Sequence, residues 1–298
     1  MLRFAKRILA AAFLAGAAVA GLAGPTLAAD LIEPPPMVEV APPIYQEEVS
    51  YGGWYIRGDL DYHASKFRGA DYITYGVTAA TCCTPALPQP GTGTFDFGNL
   101  RGAFSLGAGL GYQVTKHLRV DLTGDYFFKS NFTGQTTGFC GGVVCSSVDR
   151  TSYTALLMLA NAYVDLGTWS GFTPYIGAGI GGAHIKWADL ENTVGGITTT
   201  HRGAANMRFA WALMAGTSYC LTNKLKLDVG YRYTRIGGGR MFEISPNGPG
   251  GAGPGFDRGF NIHEGRAGLR YAFGGGKSDC SGPEPIAYEP PPEPIYTK

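Results

Sequence analysis

The amino-acid sequence predicts an all-β protein, namely an eight-stranded antiparallel up-and-down transmembrane β-barrel with short periplasmic turns and long extracellular loops. Three observations lead to this prediction. Eight segments alternate apolar residues with polar or very small ones, which is the period of a β-strand. The connections between these segments alternate in length, as they do in bacterial outer-membrane barrels. The 298 residues include 46 glycines and 12% aromatic residues but only 16% charged residues, against about 25% in soluble domains.

The net charge and the distribution of apolar residues disfavour a nucleic-acid-binding protein and a helical membrane protein. A formal net charge of +1 provides no overall field for binding nucleic acid. Beyond the N-terminus, no apolar run reaches the roughly 18 residues that a membrane-spanning helix needs. A membrane protein of this composition is therefore expected to cross the bilayer with strands.

The N-terminus has the layout of a secretory signal peptide. Basic residues at Arg3, Lys6 and Arg7 precede an apolar stretch over 8–23, which is followed by a helix-breaking Gly-Pro and small residues. This order predicts a signal peptide over 1–28. The alternative, a permanent anchor helix, is less favoured because the apolar stretch is diluted by alanine and glycine and ends in a cleavage site. An exported protein can hold oxidised cysteines.

Proline-rich segments flank the predicted barrel. Residues 29–51 read as an extended periplasmic linker, and residues 274–298 have the same proline-rich, acidic character. The barrel domain is predicted over 52–273. With both chain ends on the side of the short turns, both flanks are expected in the periplasm.

Each predicted strand carries its apolar residues on one face. In the first strand Trp54 and Tyr62 share the apolar face, whereas Arg57 and Asp59 lie on the other. Aromatic residues near both ends of an apolar face are typical of the two interfaces of a membrane. About 9 to 11 residues cross a bilayer as a tilted strand. The eight predicted strands are 54–64, 102–114, 118–129, 152–166, 173–187, 207–219, 225–233 and 263–273.

The connections separate into two sets that predict opposite ends of the barrel. Short turns are expected at 115–117, 167–171 and 222–224, and long loops at 66–101, 130–151, 188–205 and 237–261. A soluble β-sandwich would alternate in the same way, but its aromatic face would form a shared core. The aromatic residues at strand ends, the signal peptide and the loop asymmetry favour the membrane barrel.

Charged residues gather on the face opposite the apolar one, where seven acids balance seven bases. An eight-stranded barrel has an interior that side chains can fill, and buried charges must be paired because an unpaired one is very costly. The pattern predicts a closed network of ion pairs and disfavours a wide channel, while a narrow, gated leak remains an alternative. The predicted lumen network is Arg57, Asp59, Asp61, Arg119, Asp121, Asp125, Lys129, Asp165, Lys226, Asp228, Arg232, Glu264, Arg266 and Arg270.

Two runs of glycines resemble phosphate-binding loops, but within each run the glycines occur at every second residue. One run is Gly177, Gly179 and Gly181, and the other lies at 107–111. A phosphate loop would leave a strand and begin a helix, whereas both stretches continue as strand. These glycines are expected to face inward and to make room for arginine and tyrosine side chains reaching across from opposite strands.

Six cysteines fall into three locations, which predicts disulfides. Cys82 and Cys83 lie in the first long loop, Cys140 and Cys145 in the second, and Cys220 and Cys280 near the predicted periplasmic end. Cys220 is expected to pair with Cys280. A small bridge between Cys140 and Cys145, and bridges from these two to Cys82 and Cys83, are both open. Metal binding at the Cys82–Cys83 pair is disfavoured by its spacing.

The histidines give weak signals for a ligand site. His63 and His263 lie on the first and last strands, which become neighbours when the barrel closes, and Glu264 is beside them. They are the only candidates for a heme or metal contact, and a histidine in a polar network is the favoured interpretation. No metal spacing and no catalytic constellation is recognised, so we expect no enzyme activity and no cofactor.

Three stretches resemble the opacity and OmpA-type eight-stranded outer-membrane barrels: FTPYIGAGIGG (172–182), LKLDVGYRYTRI (225–236) and RAGLRYAF (266–273). The AADL start and proline-rich opening are similar to small outer-membrane surface antigens of alphaproteobacteria. The resemblance covers about 52–273 and implies a porin-like outer-membrane barrel. We expect the chain to depart from that pattern in having no following peptidoglycan-binding domain. The resemblance also implies that the terminal strand signal read by the barrel assembly machinery is Arg266, Gly268, Tyr271 and Phe273, here 25 residues before the C-terminus.

These features predict a non-enzymatic protein of the outer membrane that contributes to envelope integrity and presents surface loops for recognition or adhesion. Its expected partners are outer-membrane lipid, lipopolysaccharide, the assembly machinery and a host or surface ligand, with no nucleic acid. Candidate contact residues in the first loop are Tyr72, Tyr75, Phe95 and Phe97, together with the fourth loop. The rival functions are a receptor for heme or another small ligand, and a narrow porin of low conductance.

Overall fold

The computed structural model describes residues 52–77, 88–140, 143–244 and 252–273 together with Cys280. All of them belong to one compact unit that begins at Glu48. The predicted signal peptide, the proline-rich linker and nearly all of the C-terminal tail lie outside the described residues. Among the described residues, no helix is long and apolar enough to cross a bilayer.

Sixteen β-strands account for most of the described chain, because alternating apolar and small or polar residues continue far along it. Their bounds are β1 Gly53–Phe67, β2 Ala70–Val77, β3 Pro88–Thr94, β4 Phe97–Leu100, β5 Ala103–Gln113, β6 Leu118–Gln135, β7 Thr137–Cys140, β8 Val143–Asp165, β9 Phe172–Trp187, β10 Leu190–Val194, β11 Ile197–His201, β12 Ala205–Cys220, β13 Leu225–Ile236, β14 Gly239–Phe242, β15 Ala252–Asp257 and β16 Phe260–Ala272.

Eight of these strands form a closed antiparallel ring. Each pairs with the next in the order β1, β5, β6, β8, β9, β12, β13, β16, and β16 pairs back onto β1. Every one of the eight segments predicted from the sequence is a strand of this ring. A closed ladder satisfies the backbone hydrogen bonds of all its strands, which is the requirement that a lipid environment imposes. The predicted eight-stranded up-and-down barrel is confirmed.

The outer face of the ring is apolar and has aromatic residues near both ends. Trp54 and Tyr112 pack with ring centroids 5.3 Å apart at the end with the short turns, which we call the short-turn end. At the opposite, long-loop end, the rings of Tyr62 and Phe104 are 5.2 Å apart. The side chains of Trp54, Tyr62 and Phe104 are exposed, and that of Tyr112 is half-buried. Leu60, which lies between the two aromatic pairs, is exposed as well. This is the belt arrangement of a barrel that faces lipid.

Beyond the long-loop end the strands continue, and the four loops form additional strands. β2, β3, β14 and β15 make a separate four-stranded sheet from the first and fourth loops. The β10–β11 hairpin of the third loop pairs with the start of β8, and β4 and β7 pair with β6 and β8. We call these eight short strands, with 130–135 of β6 and 143–152 of β8, the cap.

The main difference from the predicted strands is their length at the long-loop end. β6 continues to Gln135 and β8 begins at Val143, where the sequence predicted loop. The reason is that alternation in these loops is carried by Ser, Thr, Asn and Gly, which resemble loop composition although their backbone groups pair with neighbouring strands.

Candidate functional site

Twelve of the fourteen charged residues predicted to line the lumen are buried inside the ring and joined by ion pairs. Seven are carboxylates and five are arginines, and the short-turn half of the interior is filled by them. We call this set the ion network: Arg57, Asp59, Asp61, Arg119, Asp121, Asp125, Asp165, Asp228, Arg232, Glu264, Arg266 and Arg270.

Arg232 pairs with three carboxylates at the centre of the ion network. Its guanidinium lies 2.6 Å from Glu264, 2.8 Å from Asp125 and 3.4 Å from Asp61, and its side chain is completely buried. Arg266 contacts Asp61 and Asp125 as well, at 3.2 Å each. Asp61 and Asp125 therefore share both guanidinium groups, and Arg266 also lies 3.1 Å from Asp59. Most charges here thus depend on more than one partner for their compensation.

Arg119 is held between two tyrosine rings near the short-turn end. Its guanidinium carbon lies 4.3 Å from the ring centroid of Tyr163 and 4.6 Å from that of Tyr175. Its Nε donates to Asp165 at 3.0 Å. The two terminal nitrogens find no hydrogen-bond partner among the described residues, and cation–π contact with both rings offsets part of that loss.

One inward-facing glycine of each run lies beneath a tyrosine ring, as expected, but the tyrosine comes from the adjacent strand. A Cβ atom at Gly111 would collide with the ring of Tyr55, and one at Gly177 with the ring of Tyr163. Tyr55 is the register partner of Gly111 on β1, and Tyr163 that of Gly177 on β8. The expectation that these side chains reach across from opposite strands is wrong, because tyrosine folds over a glycine beside it in the sheet.

Two lysines assigned to the lumen are placed differently. Lys129 is exposed on the outer face, because a bulge in β6 between Phe127 and Ser130 shifts the register and turns it outward. Its assignment to the lumen network is wrong. Lys226 is half-buried at the short-turn end, at the start of β13.

The long-loop half of the interior contains a large cluster of aromatic and aliphatic side chains, which the sequence did not reveal. Tyr153 stacks on Phe260 with centroids 5.0 Å apart, and Trp187 lies 5.8 Å from both Phe260 and Phe132. These four rings are buried in one hydrophobic cluster with aliphatic residues such as Leu157. The interior therefore has an ion-paired layer beneath an aromatic layer, and side chains fill both.

His63 and His263 do not converge on one ligand. Register pairs His63 with Glu264 and Ala64 with His263, so adjacent positions point to opposite faces of the wall. His63 is fully buried and stacks on Phe127, whereas His263 is exposed and its Nδ1 contacts the hydroxyl of Tyr231. A joint heme or metal contact by these two residues is excluded by this geometry. Among the described residues, no group of three or more metal-ligating side chains forms.

A cavity of about 350 Å³ lies in the cap and draws its walls from all four loops. We call it the cap pocket. The first and fourth loops contribute three aromatic residues, Tyr72, Phe95 and Phe242, whose ring centroids are 5.9 to 6.5 Å apart. The second and third loops contribute polar side chains, among them Asp149 and His201. The pocket thus has an aromatic side and a polar side.

Asp149 dominates the polar side of the cap pocket. Its carboxylate accepts one hydrogen bond from the Ser147 hydroxyl and another from the Asn192 amide, each 2.6 Å long. The residue is 1% exposed. Among the described residues no lysine, arginine or histidine forms an ion pair with it. A carboxylate this buried retains free lone pairs that call for further hydrogen-bond donors.

His201 faces the same pocket from the end of β11. It is buried, and its ring lies 5.2 Å from that of Phe242. Its Nδ1 has no hydrogen-bond partner among the described residues. Burial lowers the pKa of His201, and the nearby carboxylate of Asp149 opposes that shift only in part. The imidazole is therefore neutral at pH 7, with one ring nitrogen available to a ligand.

Below the cap pocket, Arg208 of β12 joins the barrel to the fourth loop. Its guanidinium donates to both carboxylate oxygens of Asp257 at 2.6 and 2.7 Å, and the Trp187 indole donates to the same carboxylate at 3.2 Å. All three side chains are buried. Sequence reasoning missed Arg208 and Asp257. One signal was available, since Arg208 falls on the inward face of the sixth predicted strand.

The cysteines are described in part. Cys220 forms a disulfide with Cys280, with Cα atoms 5.7 Å apart, which ties the tail to the end of β12. Cys145 is also disulfide-bonded. The pairing among Cys82, Cys83, Cys140 and Cys145 stays a prediction, because the other three side chains lie outside the described part.

The remaining predicted residues are placed as follows. Of the loop aromatics, Tyr72 and Phe95 pack against the apolar cluster, Tyr75 is half-buried and Phe97 is exposed. In the last strand, Tyr271 and Phe273 are exposed on the outer face, whereas Arg266 is buried in the ion network and Gly268 faces inward against Asp59. The role of these four residues as an assembly signal stays a prediction.

Comparisons with known proteins agree with this architecture. A family profile described as "Outer membrane protein beta-barrel domain" matches residues 10–273. An uncharacterised protein of Brucella abortus (strain 2308) is 37% identical over 273 residues, covering 83% of this chain and 92% of the relative. A candidate adhesin of Rickettsia canadensis is 32% identical over 138 residues, covering 45% and 59%. The structure of OprG from Pseudomonas aeruginosa is 17% identical, with a TM-score of 0.41 over 74% of this chain and 96% of that one.

Proposed function

Since the chain belongs to the outer membrane protein β-barrel family, we propose that it is a non-enzymatic surface protein that contributes to envelope integrity and presents its cap for recognition or adhesion. Its location is the cell outer membrane. The observation that carries the proposal is the cap itself. The described parts of all four loops contribute paired strands beyond the lipid-facing belt, and an ordered surface of this kind can hold contact residues in fixed positions.

The similarity to a candidate adhesin supports the same proposal. That similarity covers 45% of this chain, so we do not assign the ligand of that relative to this chain. The cap exposes apolar side chains away from the lipid belt, including Ile197 at 76% and Val143 at 70% exposure. Exposed apolar residues at the tips of ordered hairpins are suited to contact with another macromolecule.

For its partners in the membrane, we propose contacts with lipid and lipopolysaccharide along the outer face and recognition of the last strand by the barrel assembly machinery. Lys66, Lys129 and Lys186 are exposed near the long-loop end of their strands. Positive side chains just above an apolar belt are suited to the phosphate groups of lipopolysaccharide. This arrangement gives Lys129 a role outside the lumen.

The two rival functions have less support. A heme receptor that uses both candidate histidines would need His63 and His263 on the same face, and they lie on opposite faces. A narrow porin would need a path through the ion network and the aromatic layer, where Arg119, Arg232 and Phe127 are each fully buried. We therefore favour a closed barrel whose activity lies in the cap.

The proposal is tested by exchanging the tip of the third loop. Residues 193–198, which comprise the last two residues of β10, the turn and the first two residues of β11, are replaced by a glycine–serine segment of equal length in cells that display the full chain. Attachment of the cells to immobilised host matrix, heme and lipopolysaccharide is then compared with that of the unaltered protein at matched surface abundance. Loss of attachment to at least one surface is expected. Equal attachment by both forms on every surface would overturn the role of this part of the cap.

A further inference from the structure

We propose that the cap pocket binds a neutral sugar residue, with the aromatic side against the face of the ring and the polar side against its hydroxyl groups. The inference rests on the proposed function and gives the recognition surface a ligand class. Its volume of about 350 Å³ is within the range of small-ligand sites.

The aromatic side of the pocket supplies an apolar surface of the right kind. Phe242 is buried, and Tyr72 and Phe95 are half-buried, so parts of their rings stay accessible from the pocket. The rings of Tyr72 and Phe95 meet edge to face, with an interplanar angle of 78°. The C–H face of a pyranose is apolar and packs on aromatic rings, whereas its edge carries hydroxyl groups.

The carboxylate of Asp149 determines which net charge the ligand can carry. It is buried, accepts two hydrogen bonds and lacks an ion-pair partner among the described residues. An anionic ligand, such as a sulfated sugar or a phosphate, would add a second uncompensated charge next to it, which is strongly unfavourable at low dielectric. Hydroxyl groups instead donate to its remaining lone pairs.

The rest of the polar side favours a ligand with several hydroxyl groups over a compact cation. Asn192 donates to Asp149 through its amide nitrogen, which leaves its carbonyl oxygen as an acceptor. The Nδ1 of His201 has no partner among the described residues, and the Thr74 and Thr136 side chains also line the cavity. An ammonium group carries three donors but no acceptor, whereas each sugar hydroxyl group both donates and accepts, as the mixed donors and acceptors of this side require.

The direct test uses the full chain refolded in a polyoxyethylene detergent, which contains neither sugar nor choline. Glucose, galactose, mannose and N-acetylglucosamine are screened by saturation-transfer NMR, with choline and a sulfated disaccharide as the charged probes. Saturable binding of at least one neutral sugar is expected, together with no binding of the sulfated disaccharide. Choline or the sulfated probe binding more tightly than every neutral sugar would overturn the inference.

Variants then assign any binding to the cap pocket. Asp149→Ala should weaken sugar binding by about tenfold or more, because it removes hydrogen bonds to a charged acceptor. Glu191→Gln, on the exposed side of the same hairpin, should leave it unchanged. Equal binding by Asp149→Ala and the unaltered chain would contradict the assignment. If Asp149→Ala proves unfolded, increased hydrogen-exchange protection of β10 and β15 when sugar is added to the unaltered chain serves as the second readout, and no increase would overturn it.

The failure of this inference is distinguishable from failure of the proposed function. If loop exchange abolishes cell attachment while no neutral sugar binds the refolded chain, recognition by the cap stands and the sugar inference falls. If a neutral sugar binds at Asp149 while loop exchange leaves attachment unchanged, the pocket has a ligand and the adhesive role of the third-loop tip falls.

Discussion

Arg208 on β12 and Asp257 at the end of β15 form a buried, bidentate ion pair between the barrel wall and the fourth loop. Both side chains are at most 1% exposed, and Arg208 also donates to the backbone carbonyl of Arg240 at 3.0 Å. Because β15 pairs with β2, this one contact positions a strand of the fourth loop and, through it, a strand of the first. The four-stranded sheet that carries the aromatic side of the cap pocket is thereby attached to the wall.

Replacing Arg208 with methionine is expected to loosen the cap while leaving the ring intact. The change leaves the Asp257 carboxylate buried without its cation, and breaking a buried pair in this way costs about 3–5 kcal/mol. Hydrogen exchange followed by mass spectrometry should show faster exchange in β2 and β15 and unchanged exchange in β1 and β16.

The matched control is Arg240→Met, which breaks the exposed pair of Arg240 with Glu243, whose side chains are 47% and 37% exposed. Exposed pairs contribute about 0–1 kcal/mol, so this variant should exchange like the unaltered chain. If both variants loosened β15 equally, the buried pair would have no special role in holding the cap.

Arg232→Met is expected to destabilise the barrel itself. Arg232 is the shared partner of Glu264, Asp125 and Asp61, and Arg266 alone cannot compensate three carboxylates. The expected loss is about 3–5 kcal/mol in the free energy of unfolding, measured by urea titration of protein refolded into lipid vesicles.

A substitution outside the lumen serves as the control for Arg232→Met. Arg258→Met removes an arginine from the exposed pair with Asp71, and little change in the free energy of unfolding is expected because solvent screens an exposed pair. A stability loss of the same size in both variants would show that the ion network contributes no more than surface charge does.

The ring was predictable because its two faces differ in chemistry at every second residue. Trp54, Arg57 and Leu60 already separate the lipid side from the lumen side in the first strand, and the closed ladder follows once both faces are assigned. Twelve charged residues are buried in the lumen for the same reason. Lys129 was misplaced because a bulge adds one residue to β6, and a bulge has no fixed signature in a single sequence.

The cap was not predictable, because the two faces of its strands do not differ in chemistry as those of the ring strands do. The β10–β11 hairpin contains Thr193, Thr198 and Thr199, which suit strand and loop equally. The cap pocket depends on residues from four loops meeting at one place, as Asp149 and His201 do, although they lie 52 positions apart in the sequence. Such a meeting depends on strand pairing over long sequence distances, which local patterns do not encode.

The unaltered barrel is expected to show no stepwise conductance in planar bilayers. The ion network and the aromatic layer of Phe132, Tyr153, Trp187 and Phe260 fill successive levels of the interior. Transfer of an ion would require displacement of buried, paired charges, which is costly. The measurement is single-channel recording over many insertion events, with a known porin as the positive control. Reproducible steps that scale with salt concentration would establish the low-conductance porin instead.

Acidification is expected to loosen the cap through His201. Burial places its pKa below the ordinary value of about 6.5, so the unfolded cap binds the proton more tightly than the folded cap does. The stabilising contribution is therefore fully present above about pH 6.5 and is lost as the pH falls through the folded pKa. The Asp149 carboxylate and the backbone of Glu243 face the imidazole and partly oppose the shift. After correction for the intrinsic pH dependence of amide exchange, hydrogen exchange in β10 and β11 should accelerate between pH 7.5 and pH 5 in the unaltered chain.

A pair of histidine variants isolates the group responsible. His201→Gln, which stays neutral at every pH, should remove most of the acid-induced acceleration, whereas His184→Gln, at an exposed position on the outer face of β9, should preserve it. The acceleration should also be confined to the cap, because neither β1 nor β16 pairs with β11. An unchanged pH response in His201→Gln would assign the effect to the carboxylates and not to the buried imidazole.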